Sequence, residues 1–366
     1  MPEQTSAVTT TSRPRNVEAY FSGQSIGVAW GSGAKRAVVE VSDPKVALAL
    51  TRYRGSGALK DLKDWLRETA DLSEEDATAV SEALVAESFA VTTEPSNGER
   101  TWDELGWADA ASVFTATYDT RWVHDYRGKP TAMVRDPEGQ NFGASDEPVS
   151  PPWTFFEGTE VELPPAHEAS RSMADVLEQR RTRRRFHPGS TSLGDIATVC
   201  RWTLGRQEHD PSRFVSHTYV DAGPVAGFVI IDRDAFPAEG LEGLPVGRFL
   251  LSMYVPQEHR LRVFDATDSI SSWADLLWTQ GYGAGAGFAL ILVSDVRQYQ
   301  RKYPIARSYN WMSSDVGSFM QTATVAAEGV GMSVFQTPAM DDSTVTQLLR
   351  INPRDLTPAY FALFGR

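Results

Sequence analysis

The chain has 366 residues, 48 acidic side chains against 35 Lys and Arg, a formal net charge of -13, 41% hydrophobic residues and one cysteine. That is enough apolar material for two or three modest domains, while the acidic balance excludes a broad nucleic-acid face and any general attraction to anionic membranes. A lone Cys200 excludes an internal disulfide framework and a multi-cysteine zinc site, so the cytoplasm is the expected compartment.

The opening stretch, "MPEQTSAVTTTSRPRN", is polar and lacks the apolar stretch of a signal peptide. Residues 1–14 are expected to form a disordered tail. No apolar run approaches the roughly 20 residues of a membrane span. Residues 17–41 alternate apolar with polar and predict two or three short strands, with "GSGAK" as a hairpin loop. Asp43 followed by Pro44 is a helix start, N-cap then N1 proline. Helices are expected over "KVALALTRY", over "ALKDLKDWLRET" and from Ser73, paired with Asp76 as a capping box, to about Glu87. A strand, "SFAVTTE", follows. Three short helices and a strand predict a small winged-helix-like domain over 15–100. An amphipathic helix is expected over 101–120, with Trp102, Leu105 and Ala108 on one side. Residues 126–167 are rich in Pro, Gly and acids and read as an irregular connector, making 101–169 a linker.

A second domain is expected over 170–366. Its helices are 172–181, capped by Ser172 and Asp175, then "SLGDIATVCRWTLGR", "SSDVGSFMQTATVAAEGVG" and "DSTVTQLLRI". In the third of these Val316, Phe319, Met320, Ala323 and Ala327 recur at helical spacing and Gly329 is the stop. Strands are expected at 227–233, 248–256, 288–296 and "AYFALFG". Helices and strands without strict alternation predict an α+β fold.

The glycine cluster "GYGAGAG" (281–287) precedes a strand instead of opening a helix. It is therefore not a dinucleotide fingerprint, and a flexible loop is expected there. The six histidines are scattered, with no HExxH pattern, and there is no GxSxG elbow. "RRTRRRF" (180–186) places five arginines at the end of the helix 172–181. Cations suit a helix C-terminus, so a solvated helix end is one reading. An anion clamp is the other, since neighbouring guanidiniums repel unless an anion sits among them. In "RKYPIARSY" (301–309), Lys302 and Tyr303 set a base beside a hydroxyl donor. The plainer reading is a surface lysine next to a half-buried tyrosine.

"VLEQRRTRRRF" resembles the first FMN-binding segment of the nitroreductase superfamily, Arg-Arg-Ser-x-Arg-x-Phe, with Thr182 at the serine. "KYPIARSYNWMSSDVGSFMQTATVAAEGVGMSV" is similar to a segment of its SagB/McbC-type azoline dehydrogenase branch. "MDDSTVTQLLRINPRDLTPAYFALFG" resembles that branch's closing stretch, and "WDELGWADAASVFTATYD" its Trp-led linker helix. The resemblance implies a nitroreductase-like FMN domain and a homodimer with each flavin at the subunit interface. The implied reaction oxidises thiazoline or oxazoline rings to thiazole or oxazole in a ribosomally made precursor peptide. A partner cyclodehydratase would make those rings. It implies that Arg180, Arg181, Thr182 and Arg184 hold the FMN phosphate and ribityl chain, and that Gly329 and Gly331 admit the flavin to the backbone. It implies that Lys302 and Tyr303 are catalytic, and Arg366 is placed to reach the phosphate. The branch's Pro-Ser-x-Gly-Ala segment is missing; "SHTYVDAGPVAGFVII" keeps only Ala222-Gly223. Two other classes stay open: a nitroreductase consuming NAD(P)H on small quinones or nitroaromatics, and a catalytically inactive peptide-recruiting scaffold.

Overall fold

The structure, a computed structural model, describes residues 18–22, 25–30, 37–53, 59–86, 110, 134–135, 141–142, 150, 154, 156–220, 223–303 and 307–366. Contacts divide the chain into two units, Met1–Phe142 and Gly143–Arg366.

In the first unit β1 (Glu18–Ser22), β2 (Ser25–Trp30) and β3 (Ala37–Val41) form an antiparallel meander. Helix α1 (Pro44–Arg52) opens as the sequence predicts, with the Asp43 carboxylate accepting the Lys45 N–H at 2.8 Å. Helices α2 (Leu59–Ala70) and α3 (Glu74–Ala86) follow, and Ser73 and Asp76 form the expected capping pair. Leu50, Leu62, Leu66 and Ala77 are fully buried between the three helices. The strand expected at 88–94 and, apart from the helical Ala110, the helix expected at 101–120 lie outside the described residues. So does the 1–14 tail. Short strands β4 (Val134–Arg135) and β5 (Asn141–Phe142) pair antiparallel within the stretch read as irregular.

The second unit has the α+β architecture that its sequence predicts. Its seven-stranded sheet runs β11-β12-β10-β7-β8-β9-β6, every neighbour antiparallel. The strands are β6 (Thr159–Glu162), β7 (Val225–Asp232), β8 (Phe249–Val255), β9 (Arg260–Thr267), β10 (Phe288–Asp295), β11 (Ser333–Thr337) and β12 (Leu356–Gly365). The helices are α4 (Met173–Gln179), α5 (Leu193–Leu204), α6 (Val296–Lys302), α7 (Ser308–Gly329) and α8 (Asp342–Leu349). Strand β10 is buried at all eight positions, as a central strand covered on both faces must be. On one face α5 and α7 pack Ile196, Val199, Val316, Phe319 and Met320 against Val229, Leu290 and Phe364. On the other, α8 and a 3-10 turn (Trp273–Leu276) cover Phe228, Ile291 and Phe361.

Two sequence readings are corrected here. Residues 159–162 are an edge strand, not part of a connector. The acids that gave the stretch its connector look are matched across the ladder, Glu160 with Arg262 and Glu162 with Arg260. Helix α7 begins at Ser308, a turn before the expected start, because buried Met312 extends the Val316–Phe319 stripe backward.

Candidate active site

Three segments converge at the C-terminal end of α7. The first is the arginine run. Ser172 caps α4 by accepting the Asp175 N–H at 3.1 Å, but the helix stops at Gln179, with Arg180 as its C-cap. From Arg181 the chain runs as an extended ribbon instead of continuing the helix to 181. Thr182 bridges Val334 in parallel, and the Arg183 N–H donates to the Val334 carbonyl at 2.9 Å. The Gly283 N–H donates to Arg184 and the Phe186 N–H to Ala284, at 3.1 and 3.0 Å. Buried Phe186 anchors the ribbon, and its five arginine side chains stay outside the core. Among the described residues none of Arg180, Arg181, Arg183, Arg184 and Arg185 has a carboxylate partner. Arg181 donates only to the carbonyls of Glu178 and Arg180. Arg184 lies over the Tyr282 ring at 5.0 Å, and Tyr282 leans on Phe335 at 5.2 Å.

The glycine cluster 281–287 is therefore not a flexible loop. It is a packed turn that receives the ribbon, and Gly285 lets the Phe186 carbonyl come close.

The second segment is the end of α7. The Gly329 carbonyl accepts the Ser170 N–H at 2.9 Å and the Ser170 hydroxyl at 3.2 Å. Gly331 takes φ +77°, and among the described residues only the Arg366 guanidinium lies within 4 Å of where its Cβ would stand. Beside it, Glu328 is buried with one oxygen 3.4 Å from Arg171. The third segment is Arg366 itself. Its guanidinium donates to the buried Asp195 carboxylate at 2.6 Å and to the Val330 carbonyl at 3.2 Å. Asp195 also closes the capping box of α5 with Ser192. Sequence reasoning missed Asp195, although "SLGD" is a Ser-x-x-acid signature of a helix start.

Lys302 and Tyr303 are elsewhere. Lys302 is the last residue of α6, half-buried, without hydrogen bond or ion pair among the described residues. The Tyr303 hydroxyl donates to the Tyr219 carbonyl at 3.3 Å, and its ring meets Trp311 edge-on at 4.8 Å. Trp311 also packs on Tyr219 at 5.7 Å. Below them Asp315, almost fully buried, accepts from the Tyr299 hydroxyl at 2.6 Å, the Thr218 hydroxyl at 2.9 Å and the Tyr219 N–H at 3.0 Å. Burial raises the Asp315 carboxyl above its ordinary range, and these hydrogen bonds pull it back only in part. Burial and the neighbouring carboxylate likewise push the Tyr299 hydroxyl up.

The structure thus gathers Arg180, Arg181, Thr182, Arg184, Gly329, Gly331 and Arg366, and leaves Lys302 and Tyr303 apart. Tyr303 touches Trp311 near the start of α7, and Gly329 ends it, about 27 Å away along a helix that rises roughly 1.5 Å per residue. Among the described residues there is no cluster of His, Cys, Asp and Glu suited to a metal ion, and no helix is long and apolar enough to cross a membrane.

No family model matches the chain, and no curated protein matches it. Among solved structures it is similar to a protein assigned to the nitroreductases from Ralstonia eutropha JMP134, at 16% identity and TM-score 0.45, over 60% of this chain and 97% of that one. It is similar to another so assigned from Anabaena variabilis, at 19% identity and TM-score 0.48, over 63% of this chain and 46% of that one. The likeness is to nitroreductase structures. A chain of the E. coli McbBCD microcin synthetase complex, solved with truncated pro-MccB17 bound, is similar at 18% identity and TM-score 0.45, over 61% of this chain and 83% of its own.

Proposed function

We propose that the chain is an FMN-dependent oxidoreductase that oxidises thiazoline or oxazoline rings in a ribosomally made peptide to thiazole or oxazole. The observation that carries this reading is the arginine ribbon, whose five guanidiniums have no carboxylate partner among the described residues of a chain of net charge -13 and lie beside the glycines that end α7. The residues present fit the cofactor. A phosphate dianion would relieve the repulsion among Arg180, Arg181 and Arg184 by paired, charge-assisted hydrogen bonds, with the Thr182 hydroxyl as a further donor. Gly331 leaves backbone open to a ligand where any other residue would set a side chain. Arg366 stands at the rim of the same cluster and adds positive potential there, while Asp195 holds its guanidinium.

Bound FMN supplies the hydride acceptor, which is the cofactor's own chemistry. The protein handles the proton. Aromatising an azoline removes a hydride from one ring carbon and a proton from its neighbour. Lys302 accepts that proton on its amine, and the Tyr303 hydroxyl orients the ring. Because the pair and the arginine ribbon occupy opposite ends of α7, the reading calls for a homodimer in which one subunit's pair meets the cofactor held by the other. It also calls for a precursor peptide as substrate, a partner cyclodehydratase and a cytoplasmic setting. The 15–100 segment would serve peptide handling.

The purified protein is expected to be yellow, with visible bands near those of free flavin. Incubation with an azoline-bearing peptide should lower its mass by two hydrogens per ring. Lys302→Ala should keep the flavin and slow ring oxidation by about 10²-fold or more. A colourless protein sinks the reading, as does a Lys302→Ala variant turning over at the original rate. NAD(P)H-driven reduction of nitroaromatics without azoline oxidation would favour the small-molecule nitroreductase instead.

A further inference from the structure

We propose that Asp315 is the positioning residue for Lys302 and Tyr303. The proposal rests on the reading of that pair as the proton-handling groups. It starts from a ring of contacts that closes on itself. The Asp315 carboxylate holds α6 through the Tyr299 hydroxyl at 2.6 Å, three residues before Lys302. It holds the 218–220 segment through the Thr218 hydroxyl and the Tyr219 N–H, at 2.9 and 3.0 Å. The Tyr219 carbonyl in turn accepts the Tyr303 hydroxyl at 3.3 Å. Trp311, one turn before Asp315 on α7, fills the space between the Tyr303 and Tyr219 rings.

The Asp315 carboxylate on α7 therefore ties together α6, 16 residues before it, and the 218–219 segment, nearly a hundred residues before it. A buried carboxylate costs free energy unless every oxygen is well bonded, and here both oxygens lie within hydrogen-bonding reach of donors. A neutral apolar residue would fill that space without the desolvation cost. What the carboxylate adds is acceptor capacity: it takes several donors at once and fixes their directions. All three donors converge on Oδ2, and the Tyr219 N–H also reaches Oδ1 at 3.3 Å. An asparagine removes the charge that strengthens these bonds and sets an amide N–H₂ against the Tyr219 N–H, so it holds them more weakly. The hydroxyl of Tyr303 and the amine that follows Tyr299 are then aimed through the clamp, with no contact between Asp315 and substrate.

The test uses the full chain with its flavin. Asp315→Asn is expected to lower kcat for azoline oxidation by about 10²-fold, the cost of roughly an ångström of misplacement, with KM and flavin content within about two-fold of the original. Tyr299→Phe, which removes one donor and keeps the ring, should give a smaller loss in the same direction and covers the case in which Asp315→Asn does not fold. Amide hydrogen exchange is read in parallel. In both variants faster exchange is expected at 218–220 and 299–303 and not in α5 or β10. Unchanged exchange in those segments overturns the proposal, whatever the activity, because the clamp would then hold nothing. Faster exchange with unchanged kcat also overturns it. If the original protein oxidises no azoline, or Lys302→Ala is fully active, the reading of the pair has failed. The exchange comparison, together with the rate at which Lys302 is acylated by acetic anhydride in the original and in Asp315→Asn, then decides the clamp by itself. An equal acylation rate overturns it.

Discussion

Gly285 joins the fold to the candidate site at a single atom. Its φ is +81°, and a Cβ there would stand 2.2 Å from the Phe186 carbonyl oxygen, in backbone that has no side chain to swing aside. Phe186 anchors the arginine ribbon, so any shift that relieves the clash moves the arginines with it. Gly285→Ala is expected to cost about 2–3 kcal/mol, from a strained left-handed alanine plus the displaced peptide, and to weaken flavin binding. Thermal unfolding and flavin titration measure the two effects. Gly281→Ala is the control: among the described residues nothing lies within 4 Å of its Cβ position, and its φ is unremarkable. Its stability should stay within about 0.5 kcal/mol of the original. The sequence could not distinguish these two glycines. A glycine-rich run signals either freedom or close approach, and only the partner, here a carbonyl nearly a hundred residues earlier in the chain, tells which.

Elements with a strong period were legible, and elements defined by their partners were not. Strand β10 is one unbroken apolar run and α7 carries a stripe from Met312 to Ala327, so both could be read directly. Strand β9 alternates buried Leu261 and Val263 with Arg260 and Arg262, a signal that the neighbouring turn residues hid. Strand β6 offers a single apolar side chain, Val161, to the core, and its acids pair with those arginines across the ladder. The start of α5 is of the same kind. Its capping box is written in "SLGD", while its further role, holding Arg366, depends on the last strand. Ser192→Ala should therefore cost about 1 kcal/mol, the usual worth of an N-cap. Asp195→Ala should cost more, about 2–4 kcal/mol, because it also strips a half-exposed guanidinium of its carboxylate. Arg366→Ala in the Asp195→Ala background should then add little. A coupling of at least about 0.5 kcal/mol in that cycle, read from denaturant unfolding, marks the two as one unit, and strict additivity would separate them.

At the scale of the molecule, the question is why residues drawn from one short stretch end up so far apart. Lys302 and Gly329 are close in sequence, yet α7 lies between them as one unbroken helix, so no rearrangement short of breaking that helix unites them in one chain. A symmetric pair of subunits would solve the geometry without deformation if its two-fold axis ran across the middle of α7, setting the start of one copy near the end of the other. This makes a sharp prediction for mixed dimers. One defective parent carries Lys302→Ala with an intact arginine ribbon. The other carries Arg181→Ala and Arg184→Ala with an intact Lys302. Each homodimer lacks one half of every site and should be inactive. In a heterodimer with sites shared across the interface, one site receives both intact halves and the other receives both defects. Random exchange makes about half of the dimers mixed, each with one working site, so a one-to-one mixture should recover about a quarter of the original turnover. If each site were instead built within one chain, every site in the heterodimer would keep one defect and the mixture would stay dead. Co-expression with two different tags, purification of the doubly tagged species and mass analysis of an azoline peptide distinguish the two outcomes without any assumption about where the flavin ring lies.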